Sequence, residues 1–197
     1  MLSNPAAGTH LRGDEIAVKI VVAGHFGVGK TTFVGSLSEI RPLRTEEVMT
    51  EASVATDDLK GLPQKTATTV AMDFGRLSLS DRVVLYLFGA PGQQRFMPLL
   101  TDLTRGALGA LVLADTRRLA ESFDIIGVLE ELDLPYAVAV NQFDDAPDYT
   151  VEQLRGALDL EEDTPLVICD ARDRTTSKQG LIALVEYLLT REPEPAA

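Results

Sequence analysis

Short runs of Val, Ile, Leu and Ala recur along the chain, and most are followed by a longer stretch whose apolar positions repeat every three or four residues. Continuous apolar runs of this kind, closed by turn residues, are the pattern of strands buried on both faces. They predict six strands: about 15–23, Thr69–Ser80, Arg82–Phe88, Ala110–Asp115, Tyr136–Val140 and Leu166–Cys169. Only the tight turn at Ser80-Asp81 separates the second from the third, so those two pair antiparallel and the rest of the sheet is expected to be parallel. The helices predicted are Thr32–Ile40, stopping before Pro42; Arg95–Arg105, with Pro98 tolerated only near its first turn; Leu119–Leu132; Val151–Leu158; and Lys178–Thr190. Between Arg41 and Lys65 the chain is polar and without clear period, apart from a short helix expected near Thr45–Met49. A segment this long and irregular inside a compact domain is usually functional or mobile.

Strands alternating with helices specify an α/β fold: a doubly wound, mostly parallel six-stranded sheet with helices on both faces and strand two antiparallel. Ligands of such sheets bind at the carboxyl ends of the strands. One domain is expected over 14–190, with a flexible arm at 1–13 and a disordered Pro/Glu-rich tail at 191–197.

Composition changes this picture little and excludes several functions. The 197 residues are 45% hydrophobic and 24% charged, ordinary globular values. Eighteen basic against 30 acidic residues give a net charge of −12, which argues against a nucleic-acid surface but not against a local phosphate site. The lone Cys169 excludes an internal disulfide and fits a reducing cytoplasm, and with only His10 and His25 beside it a zinc site is not expected. No apolar run is long enough to span a membrane, and neither Met-Leu-Ser nor Pro-Glu-Pro-Ala-Ala is a lipidation signal. Direct membrane insertion is therefore not expected, and any recruitment to the membrane would run through a partner.

The chemistry begins after the first strand, at Gly24-His25-Phe26-Gly27-Val28-Gly29-Lys30-Thr31 followed by Thr32. This fits Gly, four free positions, Gly-Lys-Thr, in the strand–loop–helix context the motif requires. Glycines let successive N–H groups point inward at phosphate oxygens, and the helix that follows adds its free N-terminal donors and dipole. Lys30 would bridge the β- and γ-phosphates and the Thr31 hydroxyl would ligate Mg²⁺. Gly24 to Thr32 are thus candidate nucleotide contacts, and the site is one for a nucleoside triphosphate.

Four further stretches are Thr68-Thr69-Val70-Ala71-Met72-Asp73-Phe74, Phe88-Gly89-Ala90-Pro91-Gly92-Gln93, Asn141-Gln142-Phe143-Asp144 and Cys169-Asp170-Ala171-Arg172. They resemble the nucleotide-contacting loops of Ras-like small GTPases. The resemblance implies that Thr69, favoured over Thr68, closes on Mg²⁺ and the γ-phosphate as a switch. Gly92 would give its N–H to that phosphate, and Gln93 would be the catalytic residue orienting the attacking water. Asn141 would be a nucleotide contact, and Asp144 would accept from guanine N1 and N2. Gln142 replaces the usual lysine, losing a stem that covers the base and ties to the phosphate loop. Asp170 and Ala171 match the element whose backbone N–H meets the guanine oxygen.

The aspartate expected three positions before Gly92 is instead Gly89. That departure is similar to the bacterial MglA-like branch of small GTPases. The phosphate loop, Val-Ala-Met-Asp-Phe-Gly, Phe-Gly-Ala-Pro-Gly-Gln-Gln-Arg-Phe and Leu-Ala-Asp-Thr-Arg-Arg resemble the actinobacterial conservon GTPases over nearly all of 15–190. The resemblance implies that Asp73 takes over part of the Mg²⁺ role indirectly; the alternative is an aspartate serving the strand edge. It also implies a roadblock-domain protein and a sensor-kinase module as partners.

The expected function is a GTP/GDP-binding, Mg²⁺-dependent signalling switch in the cytoplasm, with very low intrinsic hydrolysis. Phe26 stands where faster members have a glycine, and Thr68 where MglA has an arginine; an arginine finger is worth roughly 10³–10⁵ in rate. Arg95 could substitute or serve only a surface ion pair. The alternatives are a catalytically weak or inactive nucleotide-binding scaffold and, behind it, an ATP-using enzyme.

Overall fold

The computed structural model describes residues 15–41, 43–49 and 68–191, with 43–49, 68–71 and Gln94 as backbone only. The expected arm at 1–13, the tail beyond Arg191 and residues 50–65 of the irregular segment lie outside the described residues.

β1 (Ile16–Ala23) leads through the phosphate loop into α1 (Lys30–Leu37). β2 (Leu43–Met49), β3 (Thr68–Ser78) and β4 (Val83–Gly89) follow, then a 3₁₀ turn at Gln94–Phe96 and α2 (Met97–Thr104). β5 (Gly109–Ala114) runs into 3₁₀ turns over Thr116–Ser122 and α3 (Phe123–Glu131). β6 (Tyr136–Asn141), α4 (Val151–Ala157), β7 (Leu166–Cys169) and α5 (Arg174–Thr190) complete the chain. The strand order is β2-β3-β4-β1-β5-β6-β7. β4-β1-β5-β6-β7 are mutually parallel, and β3 is antiparallel to both β2 and β4.

All six expected strands are present. The seventh, β2, forms where a short helix was expected at Thr45–Met49, and pairs from Leu43↔Phe74 to Met49↔Thr68. An isolated helix that short cannot repay its nucleation. The open edge of β3 offers a row of backbone partners instead.

The uniform apolar runs resolve into two faces because successive strand residues point to opposite sides. Val21, Val112 and Val138 pack under α2, α3 and α4, with Leu100, Ile125 and Leu154. Ile20, Leu111 and Ala139 pack under α1 and α5, with Phe33, Leu37, Leu181 and Leu184. Each fully buried side chain of this size contributes about 1.5–3 kcal/mol, so β1, β5 and β6, buried on both faces, form the rigid base from which the site's loops rise.

Helix boundaries differ from expectation where polar side chains intervene. α5 starts at Arg174 rather than Lys178, because the Asp173 side chain accepts from Thr175 N at 2.7 Å and caps it. The helix expected from Leu119 begins at Phe123; before it the chain turns in 3₁₀ fashion and leaves helical geometry at Arg118 (φ −144°, ψ 43°).

Candidate functional site

The phosphate loop crosses the carboxyl end of β1, between the two layers of helices. Its conformation needs glycine: Gly24, Gly27 and Gly29 have φ of +145°, +80° and +106°. A β-carbon on Gly29 would stand 2.7 Å from Asn141 Nδ2. Gly29→Ala is therefore expected to cost about 1–3 kcal/mol of stability and to displace Asn141, read as a lower thermal midpoint together with lost nucleotide binding.

The loop's carbonyls are held by side chains from several elements. Lys30 Nζ donates to Gly24 O and to His25 O, each at 2.7 Å. Arg118 Nη2 donates to Phe26 O at 3.0 Å, and His25 Nδ1 lies 2.8 Å from the same oxygen. Asn141 Nδ2 donates to Val28 O at 2.9 Å. In a trans peptide the N–H points opposite its carbonyl, so Arg118 and Asn141, by fixing the Phe26 and Val28 oxygens, also fix the directions of the Gly27 and Gly29 N–H groups. No side chain caps α1 at Gly29. Inward amides meeting an uncapped helix N-terminus form an anion site. Burial drives the Lys30 ammonium down to about 8, with the charge of Asp73 partly opposing it. His25 is buried, and desolvation pushes its pKa below the ordinary value; its Nδ1–H serves the Phe26 carbonyl, leaving Nε2 buried without a partner. Phe26 itself is 64% exposed at the rim, and the Thr32 side chain is exposed.

Thr31 Oγ1 donates to Asp73 Oδ2 at 2.5 Å. These two predicted Mg²⁺ residues are thus joined, from α1 and β3. Gly89 sits directly across from Asp73 in the β3–β4 register. A β-carbon there would come 3.0 Å from Asp73 Cβ and 3.3 Å from Oδ2, so the glycine at 89 makes the room the Asp73 side chain occupies. A hydroxyl and a carboxylate are the hard oxygen ligands Mg²⁺ prefers, and few protein ligands are usual when phosphates supply the rest. Among the described residues no group of three His, Cys, Asp or Glu could hold a metal by itself. Thr69 belongs to the pair Val48↔Thr69 by its backbone, and its side chain lies outside the described atoms.

The loop after β4 lies against the phosphate loop: a β-carbon on Gly92 would be 2.5 Å from Phe26 N and inside contact distance of Lys30 Nζ. The neighbouring Gln93 has its Oε1 buried with no hydrogen-bond partner. Arg95 is exposed, with its guanidinium 4.9 Å from the Phe96 ring centroid.

Asn141 is the hinge between this half and the other. Besides holding Val28 O, its Oδ1 accepts from Ala171 N at 2.8 Å. Gln142 is exposed, and its backbone N–H donates to Cys169 O at 2.8 Å. Asp144 is exposed and receives two Arg172 nitrogens, Nη2 at 2.9 Å and Nη1 at 3.2 Å; Arg172 also clamps Asp170 at 2.8–3.1 Å. That guanidinium holds both carboxyls below their usual range. Arg117 forms a second clamp, on the fully buried Asp115 and on Asp145 at 2.7 Å, with its guanidinium 3.7 Å from the centre of the Phe143 ring.

Residues 22–191 match a family model described as conserved hypothetical ATP binding protein. The chain belongs to that family. No curated protein matches the sequence. Among solved structures, this hypothetical ATP-binding family member is similar to the cytosolic domain of the T. maritima FeoB iron transporter in apo form, at 17% identity and a TM-score of 0.64, covering 92% of this chain and 67% of that one. The GMPPNP form of that domain matches at 18% identity and a TM-score of 0.64, over 91% and 67% of the two chains. The FeoB G-domain of Methanococcus jannaschii matches at 15% and 0.59, over 88% and 98%. The chain thus spans about two thirds of the first of these and nearly all of the last. At such identities the likeness shows the fold, that of a P-loop G domain. No helix among the described residues is long and apolar enough to cross a membrane.

Of the residues expected to share one site, Thr31 bonds Asp73, Asn141 bonds Ala171, and Lys30 bonds the phosphate loop's own carbonyls. Sequence reasoning missed the three arginines, 117, 118 and 172, that brace the loops. The Arg117-Arg118 pair was visible as part of a motif, but nothing in the motif names Phe26 or Asp145 as a partner.

Proposed function

We propose that this protein is a guanine-nucleotide-dependent switch that binds GTP and GDP with Mg²⁺, hydrolyses GTP slowly, and signals through protein partners from a single domain over 14–190. The reading rests on one observation above others. A single side chain, Asn141, ties the phosphate loop to both loops that a guanine base would touch. Asp144 supports the base: it accepts a planar pair of N–H groups from Arg172, the donor pattern that guanine N1 and N2 also present. Gly27, Gly29, Lys30, Thr32 and Gly92 address the phosphates, and Asp170 and Ala171 flank the base.

Thr31, and Thr69 once triphosphate is bound, would hold Mg²⁺, with Asp73 acting indirectly through its bond to Thr31; the ion would supply charge neutralisation at the phosphates. Gln93 Oε1, without a partner in the free protein, accepts from the attacking water. That water's oxygen bonds to the γ-phosphorus, the bond to the β–γ bridging oxygen breaks, and the water's proton leaves with inorganic phosphate. With no arginine at position 68 and Phe26 at the rim of the γ-phosphate position, turnover is slow until a partner completes the site. The partners proposed are a roadblock-domain protein and a sensor-kinase module, through which the cytoplasmic protein reaches the membrane.

The family description names ATP, so the base is the first thing to test. Denaturing purified protein and identifying the released nucleotide should give GDP or GTP, and adenine nucleotide overturns the guanine reading. Asp144→Ala is expected to reduce GTP-over-ATP preference by roughly 10–100-fold, the worth of hydrogen bonds to a charged acceptor. Unchanged selectivity in competition binding removes Asp144 from the site. No phosphate release with or without a roadblock partner favours the inactive-scaffold reading.

A further inference from the structure

The run Leu113-Ala114-Asp115-Thr116-Arg117-Arg118 takes no part in the roles above, yet its last residue touches the phosphate loop. Arg118 Nη2 donates to Phe26 O at 3.0 Å and would stand 3.4 Å from a β-carbon on Gly27. The residue lies where the 3₁₀ turns break, at φ −144° and ψ 43°, so the backbone of this segment departs from regular geometry at the residue whose side chain reaches back to the phosphate loop. Arg118 Nη1 lies 3.7 Å from Glu121 Oε1, which steadies the guanidinium from the other side. Arg117 secures the same segment through the buried Asp115 and through Asp145. One arginine anchors and the next reaches.

The Phe26 carbonyl shares its peptide with the Gly27 N–H. Gly27 is at φ +80°, and a glycine-flanked peptide is free to rotate unless something holds it; here Arg118 and His25 Nδ1 both hold its carbonyl. Rotation would turn that N–H away from the concave side.

We propose that Arg118 is a positioning residue for phosphate binding. From the segment after β5 it supplies a cationic tie to the phosphate loop, holding the Phe26–Gly27 peptide together with His25 so that its N–H is directed at the phosphates. The proposal rests on the reading of Gly24–Thr31 as a nucleotide phosphate site, and adds which side chain sets that loop's donor geometry.

The test compares wild type with Arg118→Ala and Arg118→Lys, measuring affinities for GDP and GMP by calorimetry and following the Gly27 amide by ¹⁵N NMR. Arg118→Ala should weaken GDP by about tenfold, one charge-assisted hydrogen bond's worth, with a smaller change for GMP. The Gly27 amide should lose its nucleotide-induced shift in Arg118→Ala and regain part of it in Arg118→Lys. A merely structural arginine would lower the thermal midpoint and weaken both ligands alike, and that pattern overturns the proposal. GDP affinity within twofold of wild type in Arg118→Ala also overturns it, while leaving the nucleotide reading intact. Failure of the wild type to bind any nucleotide overturns both.

Discussion

Lys30→Ala is expected to weaken triphosphate binding by roughly 10²–10³-fold, because one or two hydrogen bonds from a cation to phosphate are lost, at about 1.5–3 kcal/mol each. In the free protein the ammonium is already taken out of water and pinned at 2.7 Å to Gly24 O and His25 O. Burial brings it from 10.5 to about 8, so this charge is held at a cost that an arriving polyanion relieves. The sign of the pH dependence follows. Below about pH 8 the lysine is charged before and after binding, and affinity is flat. Above it the free form loses its proton while the phosphate-bound form keeps it, so binding takes up as much as one proton. Affinity then falls by up to tenfold per pH unit toward the ordinary lysine value. Folding of the free protein runs the other way: the unfolded chain holds the proton that the folded site has released, so stability rises with pH over the same window. Calorimetry at pH 8.5 in two buffers of different protonation enthalpy measures the uptake directly. Its absence from the wild type, or its persistence in Lys30→Ala, would remove Lys30 from the phosphate site.

What could be read from the chain before the fold was known follows from how local each interaction is. The phosphate loop was legible because its donors, its helix and its glycines are consecutive residues with fixed backbone requirements. The parallel sheet was legible because β1, β5 and β6 are apolar on both faces, a property carried by each strand alone. β2 was not, because Leu43–Met49 becomes a strand through the edge that β3 lends it. Arg118 and Phe26 are 92 positions apart, and Arg172 and Asp144 are 28 apart. Neither pairing has a sequence period, and both depend on which loops the strand order brings to one end of the sheet. The start of α3 was misplaced for the same reason: the chain leaves helical geometry at Arg118, whose contact with the phosphate loop no helical periodicity could reveal.

Asp73→Asn is expected to lower Mg²⁺-supported GTP affinity by roughly 10–100-fold, the usual cost of altering a residue that orients a metal's ligands. The geometry gives the prediction a reciprocal form. Asp73 and Gly89 face each other across the antiparallel β3–β4 rung, and a β-carbon at 89 would stand 3.0 Å from Asp73 Cβ. A side chain at 89 would force the Asp73 carboxylate to shift from its present place. Gly89→Asp alone should therefore destabilise the protein by about 1–3 kcal/mol, the usual penalty of overpacking, without improving Mg²⁺ binding. The exchange Asp73→Gly with Gly89→Asp relieves the clash, returns a carboxylate to the metal's side of the rung and should recover much of the Mg²⁺ dependence. Nucleotide affinity titrated against Mg²⁺ concentration reads all four proteins. Asp73→Asn also removes the charge that partly supports the Lys30 ammonium, so proton uptake on binding should begin at lower pH in that variant. An unchanged Mg²⁺ requirement in Asp73→Asn, with the pH profile shifted, would leave Asp73 as an electrostatic neighbour of Lys30 and a partner for Thr31. A lost requirement restored by the exchange would make the carboxylate, on whichever strand it stands, the group that recruits the metal.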